Sequence, residues 1–274
     1  MQKIQGEPSS ARQAVDVCQL CSAIGVQLLD SHILPKWAYR RAMGIDECGA
    51  KTDPVLVDKD RVFFSSRETK EHLLCKACEQ RLGLDEDYVS RLAYQEDGRL
   101  GLLDVAPVTR MRAARIIPVT GLNCQSLVRF AVSVFWRAHV SSRPECRQLF
   151  LWNPHAESLR RYLLGQADLP VHFCITMYVL MDSDAGLSAG KSLSALPVTA
   201  KKGADGSHQL LIAGLLFNLS TGDSAAAIER TCLHCGIHRA ILVSHPSAVK
   251  MLRKTIAGLQ DAVPKGKLAR IQRP

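Results

Sequence analysis

Two Cys-x-x-Cys pairs, Cys18-Gln-Leu-Cys21 and Cys75-Lys-Ala-Cys78, limit what this chain can fold into more than any other feature. Two intervening residues let both thiolates of a pair turn toward one ion, from a tight knuckle or a first helical turn. Together the pairs supply the four soft ligands of a closed, tetrahedral structural zinc site. The 53 residues between them exceed the spacing of a zinc ribbon, so something must be inserted between the halves of the clip.

That insert has readable parts. Ile24 to Leu29 suits a short strand leaving the first knuckle, and His32 falls at its end. Pro35 opens a helix through Lys36-Trp-Ala-Tyr-Arg-Arg-Ala-Met. Val55-Leu-Val and Arg61-Val-Phe-Phe flank a charged turn and predict a hairpin. The second knuckle leads into a helix over Lys76 to Leu82, and a second helix is expected over Asp85 to Tyr94. Knuckle, strand, hairpin and a helix starting at the second cysteine pair is the plan of a treble-clef zinc finger.

The residues Cys18-x-x-Cys21, Ser31-His32-Ile33-Leu34-Pro35 and Leu74-Cys75-x-x-Cys78-Glu79 resemble the HNH, or ββα-metal, endonucleases of the type braced by four cysteines. That resemblance implies His32 as the general base that draws a proton from water. It also implies a divalent Mg²⁺ or Mn²⁺ ion held by oxygen ligands against the scissile phosphate. Ser31 stands where the family has an Asp or His, and no Asn precedes Asn123; Lys70 or Glu71 stands near the place of the middle Asn. Glu79 takes the place of the last His, which makes His32 and Glu79 the catalytic pair the resemblance implies. The chain also resembles a group of bacterial proteins of similar length that continue into an apolar helix with a Trp-Arg-Ala signature, here Trp136-Arg137-Ala138.

At 274 residues and 47% hydrophobic content the chain can bury a sizeable core, which excludes disorder throughout. No window has 18 uninterrupted apolar residues and the N-terminus lacks the apolar run of a signal peptide. A cytoplasmic protein without a membrane partner is therefore expected. In that reducing setting ten cysteines read as metal ligands plus buried thiols. Cys48, Cys124, Cys146 and Cys174 stand singly as small core residues. Cys232-Leu-His-Cys235 reads as a buried thiol pair beside a strand rather than as a second zinc site.

The formal charge of +9 is concentrated at the end: Lys250, Arg253, Lys254, Lys265, Lys267, Arg270 and Arg273 face Asp261 alone. Such a segment suits nucleic acid, where Lys and Arg displace counterions from phosphates, or else a solvated tail. Ser247 to Leu259 reads as an amphipathic helix. Cys124 to Val140 reads as a helix buried on nearly all sides, its polar stripe carrying Arg129 and Arg137. Those two arginines either reach a phosphate or pair with carboxylates inside. Lys36, Arg129, Arg137, Lys250, Arg253 and Lys254 are the candidate nucleic-acid contacts.

Asn153 is expected to cap a helix over Pro154 to Leu164. Strands are expected over Val171 to Met181, over Gln209 to Leu219 and over Ala240 to Val243. Asp182 to Gly206, with Ser188-Ala-Gly-Lys191-Ser192, reads as a long loop.

The expected whole is α+β: an HNH-like treble-clef zinc domain over 1–96, a basic linker over 97–120, and a mixed helix and sheet domain with a basic tail over 121–274. The expected function is metal-dependent cleavage of nucleic acid, in a setting such as phage defence. The alternative is a non-catalytic adaptor in which zinc only folds the finger and the rest docks nucleic acid or a protein partner encoded in the same operon.

Overall fold

The computed structural model describes residues 15–42, 44–45, 51–52, 55–58, 61–64, 68–111, 114–181, 194–203, 205–222, 231–236 and 238–243. Cys48, the 188–192 loop, the expected helix over 247–259 and the basic residues Lys250, Arg253 and Lys254 lie outside the described residues.

The chain is a mixed helix and sheet protein. Strand β1 (Val15–Asp16) pairs with β2 (Val26–His32), and helix α1 (Lys36–Ala42) follows Pro35. Two short hairpins come next, β3 (Gly44–Ile45) with β4 (Lys51–Thr52) and β5 (Val55–Asp58) with β6 (Arg61–Phe64). Strand β7 (Lys70–Cys75) returns antiparallel to β2, setting Leu28 opposite Cys75 and His32 opposite Lys70. Helix α2 (Lys76–Leu92) begins immediately after it.

Where two helices were expected, α2 is one helix that passes through Gly83. A glycine there costs about 1 kcal/mol against alanine. Leu82, Asp85, Val89 and Leu92 are all buried around it, and packing on the next helix outweighs that cost.

The stretch read as a basic linker carries β8 (Thr109–Met111) and β9 (Ala114–Pro118), which close one edge of a seven-stranded sheet. Its arginines hid the apolar Ile116 and Ile117, both buried in the sheet. Helix α3 (Cys124–Val140) has the extent its sequence predicts. The Asn123 side chain accepts from the Ser126 N–H and so stops the helix there. Helix α4 (Asn153–Leu164) ends at Gly165, whose φ of 71° is the left-handed conformation that favours glycine. Asn153 falls within its first turn and is not the cap; that position belongs to Trp152.

The remaining strands are β10 (Phe173–Val179), β11 (Ala195–Lys201), β12 (Ser207–Ile212), β13 (Leu215–Thr221) and β14 (Ala240–Val243). The sheet runs β11-β12-β13-β10-β14-β9-β8. The single strand expected around Gly214 is a hairpin, because Ala213 and Gly214 both have positive φ, 43° and 78°, and reverse the chain in two residues. Part of the stretch read as a loop is strand β11.

One hydrophobic core runs from Cys18 and Leu20 beside the first knuckle, through α1, α2 and α3, to Leu210 and Phe217 of the sheet. Phe130 of α3 stands at its centre, 6.3 Å from the Trp37 ring of α1 and 5.7 Å from the Phe217 ring of β13. Among the described residues no helix is long and apolar enough to cross a membrane.

Candidate metal centre

Cys18 and Cys21 sit in the turn between β1 and β2. There the Ser22 N–H donates to the Cys18 carbonyl at 2.8 Å, and the Cys18 N–H to the Ala23 carbonyl at 3.0 Å. Ser22 and Gly25 take positive φ, 61° and 68°, which curls the knuckle back on itself. Cys75 ends β7, and Cys78 stands in the first turn of α2. The β2–β7 ladder brings the two knuckles together, and the Cys75 N–H donates to Cys18 Sγ at 3.3 Å.

The four Sγ atoms lie within 4.8 Å of one another, with Cys21 and Cys75 3.9 Å apart. Four thiolates bound at ~2.3 Å around a tetrahedral ion would stand roughly 3.8 Å apart, so the spacing fits. Cys18 and Cys78 are buried, and Cys21 and Cys75 are half-buried. Arg160 of α4 donates to the Leu20 carbonyl at 2.7 Å and buttresses the first knuckle from outside.

The electrostatics suit a cation. Burial pushes the Cys18 thiol up, but N–H donors from Cys21, Cys75 and Leu20 outweigh it and bring Cys18 down to about 7. Burial, and then the charge on Cys18, push Cys78 far up. Four thiols this close cannot all ionise against one another. A divalent ion at their centre removes that repulsion.

His32 stands at the other end of the ladder. Its Nε2 lies 2.8 Å from Glu68 Oε2, and the Lys70 Nζ is also 2.8 Å from that oxygen. Asp30 is 4.0 Å from Lys70. The Tyr39 hydroxyl accepts from the Thr69 N–H at 3.0 Å, and the Ile33 N–H donates to the Thr69 carbonyl, strapping the 68–69 segment to α1 and β2. The His32 and Glu68 side chains are 21% and 17% exposed, enough to meet a ligand. Burial raises the Glu68 carboxyl, but hydrogen bonds from Lys70 and His32 outweigh it and hold it below its ordinary value. A carboxylate only accepts, so it draws the proton of the neutral ring to Nε2 and leaves the lone pair on Nδ1.

The acid paired with His32 is therefore Glu68, not Glu79. Glu79 belongs to the first turn of α2, past Cys75, and its Oε1 is buried without a hydrogen-bond partner among the described residues. Ser31 points inward and donates to the Leu29 carbonyl at 3.3 Å, which rules it out as an open ligand here. Glu71 accepts from Ser141 and Ser142 just past the end of α3. One signal for this cluster lies in the sequence: Asp30 and His32 are two apart on β2, and Glu68 stands two residues before Lys70, the first residue of β7.

Of the cations read as nucleic-acid contacts, Lys36 is exposed, whereas the two arginines of α3 are engaged inside. Arg129 pairs with Asp85 at 3.0 Å and caps the Tyr162 and Leu163 carbonyls at the end of α4. Arg137 is 1% exposed, pairs with Glu86 and donates to the His32 carbonyl at 2.7 Å. A buried guanidinium must find acceptors inside, and both do. The pair cannot also serve a phosphate.

No protein-family model, no curated protein and no solved structure matches this chain.

Proposed function

We propose that the Cys18, Cys21, Cys75 and Cys78 thiolates bind one structural Zn²⁺ in a treble-clef finger, and that this finger acts on nucleic acid as an HNH-like phosphodiesterase. The observation that carries the reading is the partly exposed His32–Glu68 pair, at the end of the same ladder that joins the cysteine knuckles. In this reading His32 Nδ1 takes the proton from the attacking water, and Glu68 orients the ring and stabilises the charge it gains. Glu68 and Asp30 offer the oxygen ligands that Mg²⁺ or Mn²⁺ prefers; such an ion would stabilise charge on the phosphate.

The test is cleavage of supercoiled plasmid and of DNA and RNA oligonucleotides with Mg²⁺ or Mn²⁺, with zinc content measured on every variant. Wild type is expected to cleave. His32→Ala should lose on the order of 10²–10⁴-fold at unchanged zinc, and Glu68→Gln should lose less. Inert wild-type protein, or His32→Ala as active as wild type, would overturn the proposal.

A second reading, a zinc-folded adaptor that binds without cutting, is favoured by the internal engagement of Arg129 and Arg137 and by the absence of a Glu79 contact to His32 among the described residues. It predicts nucleic-acid or protein binding that is indifferent to His32→Ala.

A further inference from the structure

A second group of thiols lies in the sheet, remote in sequence from the zinc cysteines. Cys232 is fully buried and Cys235 partly so, in a turn closed by the Gly236 N–H donating to the Cys232 carbonyl at 3.0 Å. The turn is pinned to β10 through the Leu233 N–H, which donates to the Ile175 carbonyl at 2.7 Å. The Cys235 thiol points at Cys232 Sγ from 3.2 Å. Cys232 Sγ also accepts the N–H groups of Ile175 at 3.3 Å and Cys235 at 3.4 Å, and a hydrogen bond from the Cys174 thiol.

Those donors gather on one sulfur. The Cys174 thiol first, and then the Cys235 N–H and thiol and the His234 N–H, outweigh burial and bring Cys232 from 9.0 down to about 5. Half-buried Cys124 and buried Cys146, which lack comparable donors, are pushed up instead. Burial alone makes an inert thiol; this cluster reverses its effect.

The trio is not arranged as a metal site. Among the described residues, the Cys18 quartet is the group of His, Cys, Asp or Glu side chains whose ligand atoms are set to hold one ion, and the trio is not part of it. The nearby His234 is engaged through Nε2 with the Leu169 carbonyl at 2.8 Å, and His238 is exposed.

We propose that Cys232 and Cys235 form a thiol–disulfide exchange site for low-molecular-weight disulfides, with Cys235 the thiol that meets the incoming disulfide, Cys232 the resolving thiol and Cys174 the hydrogen-bond donor to Cys232. Cys235 loses its proton and attacks one sulfur of R–S–S–R, forming Cys235–S–S–R and releasing R–S⁻. The Cys232 thiolate then attacks Cys235 Sγ, the mixed disulfide breaks, and the second R–S⁻ leaves. Two electrons pass from the cysteine pair to the external disulfide, and the proton lost by Cys235 ends on one of the released thiolates.

The experiment equilibrates the full zinc-loaded chain with a series of oxidised to reduced glutathione ratios. Free thiols are then trapped by alkylation and the linkages mapped by peptide mass spectrometry, with total metal measured in parallel. Cys232–Cys235 linkage is expected while Cys18, Cys21, Cys75 and Cys78 keep their metal. Cys235→Ser, a substitution at a partly exposed turn position, should abolish the linkage with the fold unchanged by circular dichroism. Cys174→Ala should slow linkage by on the order of tenfold near pH 6 and by less near pH 8, because it removes a donor from the resolving thiolate. Two results would overturn the proposal: a pair that stays alkylatable at every ratio, or a second equivalent of metal that Cys232→Ser removes. The outcome is independent of whether His32 cleaves anything.

Discussion

His208 shows how burial, reinforced by two neighbouring histidines, sets a side chain's response to acid. It is 2% exposed on β12, with Nδ1 3.1 Å from Thr199 Oγ1 and its ring against Phe135. Burial first, and then His155 and His139, bring it from 6.5 to about 4. The unfolded chain therefore takes up a proton at higher pH than the folded one. The stability contributed by neutral His208 is complete above the ordinary histidine range and is lost as pH falls from there toward about 4. Between about pH 7 and about pH 5 wild type should lose roughly 2 kcal/mol more than His208→Gln, read from urea midpoints. The acid sensitivity of the thiolate site is common to both proteins and cancels in the difference; equal losses would contradict the assignment. At the same scale, Arg137→Ala is expected to cost about 3–5 kcal/mol in urea, since it strands Glu86 and the His32 carbonyl. The arginine stripe of α3 was visible in the sequence. Its partners were not, because Asp85 and Glu86 stand 44 and 51 residues away and only the tertiary fold brings them across.

Among the elements, those with a local stop signal were legible. Helix α3 matched because Asn123 caps it and its apolar faces leave no alternative, and the β5–β6 hairpin matched because its turn is charged and short. Glycine misled in both directions. Gly83 suggested a break that packing overrides, whereas the Ala213-Gly214 turn sits inside an unbroken apolar run that resembles one long strand. The spacing of Asp30 and His32 is legible, but Glu68 comes from the 68–69 segment that Thr69 holds against Tyr39 and Ile33, a tertiary placement that spacing and periodicity do not display. Phe130 is the element-scale test of how α1 joins the seven-stranded sheet, since its ring stands near both Trp37 and Phe217. Phe130→Ala should cost about 3–5 kcal/mol in denaturant titration, a cost set by the cavity it leaves. A loss under about 1 kcal/mol would mean that the two parts do not pack as described.

At the scale of the molecule, the cysteine quartet is the point on which the other inferences converge. The β2–β7 ladder that sets His32 opposite Lys70 is the ladder whose far end carries Cys75, and the core beside the knuckles continues into the sheet. If the proposed Zn²⁺ binds there, its binding energy is folding energy for more than the two cysteine knuckles. The most direct test is metal content per chain, by elemental analysis, on wild type and Cys75→Ser, with thermal unfolding before and after chelation. One zinc per wild-type chain, lost in the variant, with chelation lowering one cooperative transition of the whole protein, is the expected result. A chain that purifies without zinc and melts at the same temperature with and without chelator would contradict it.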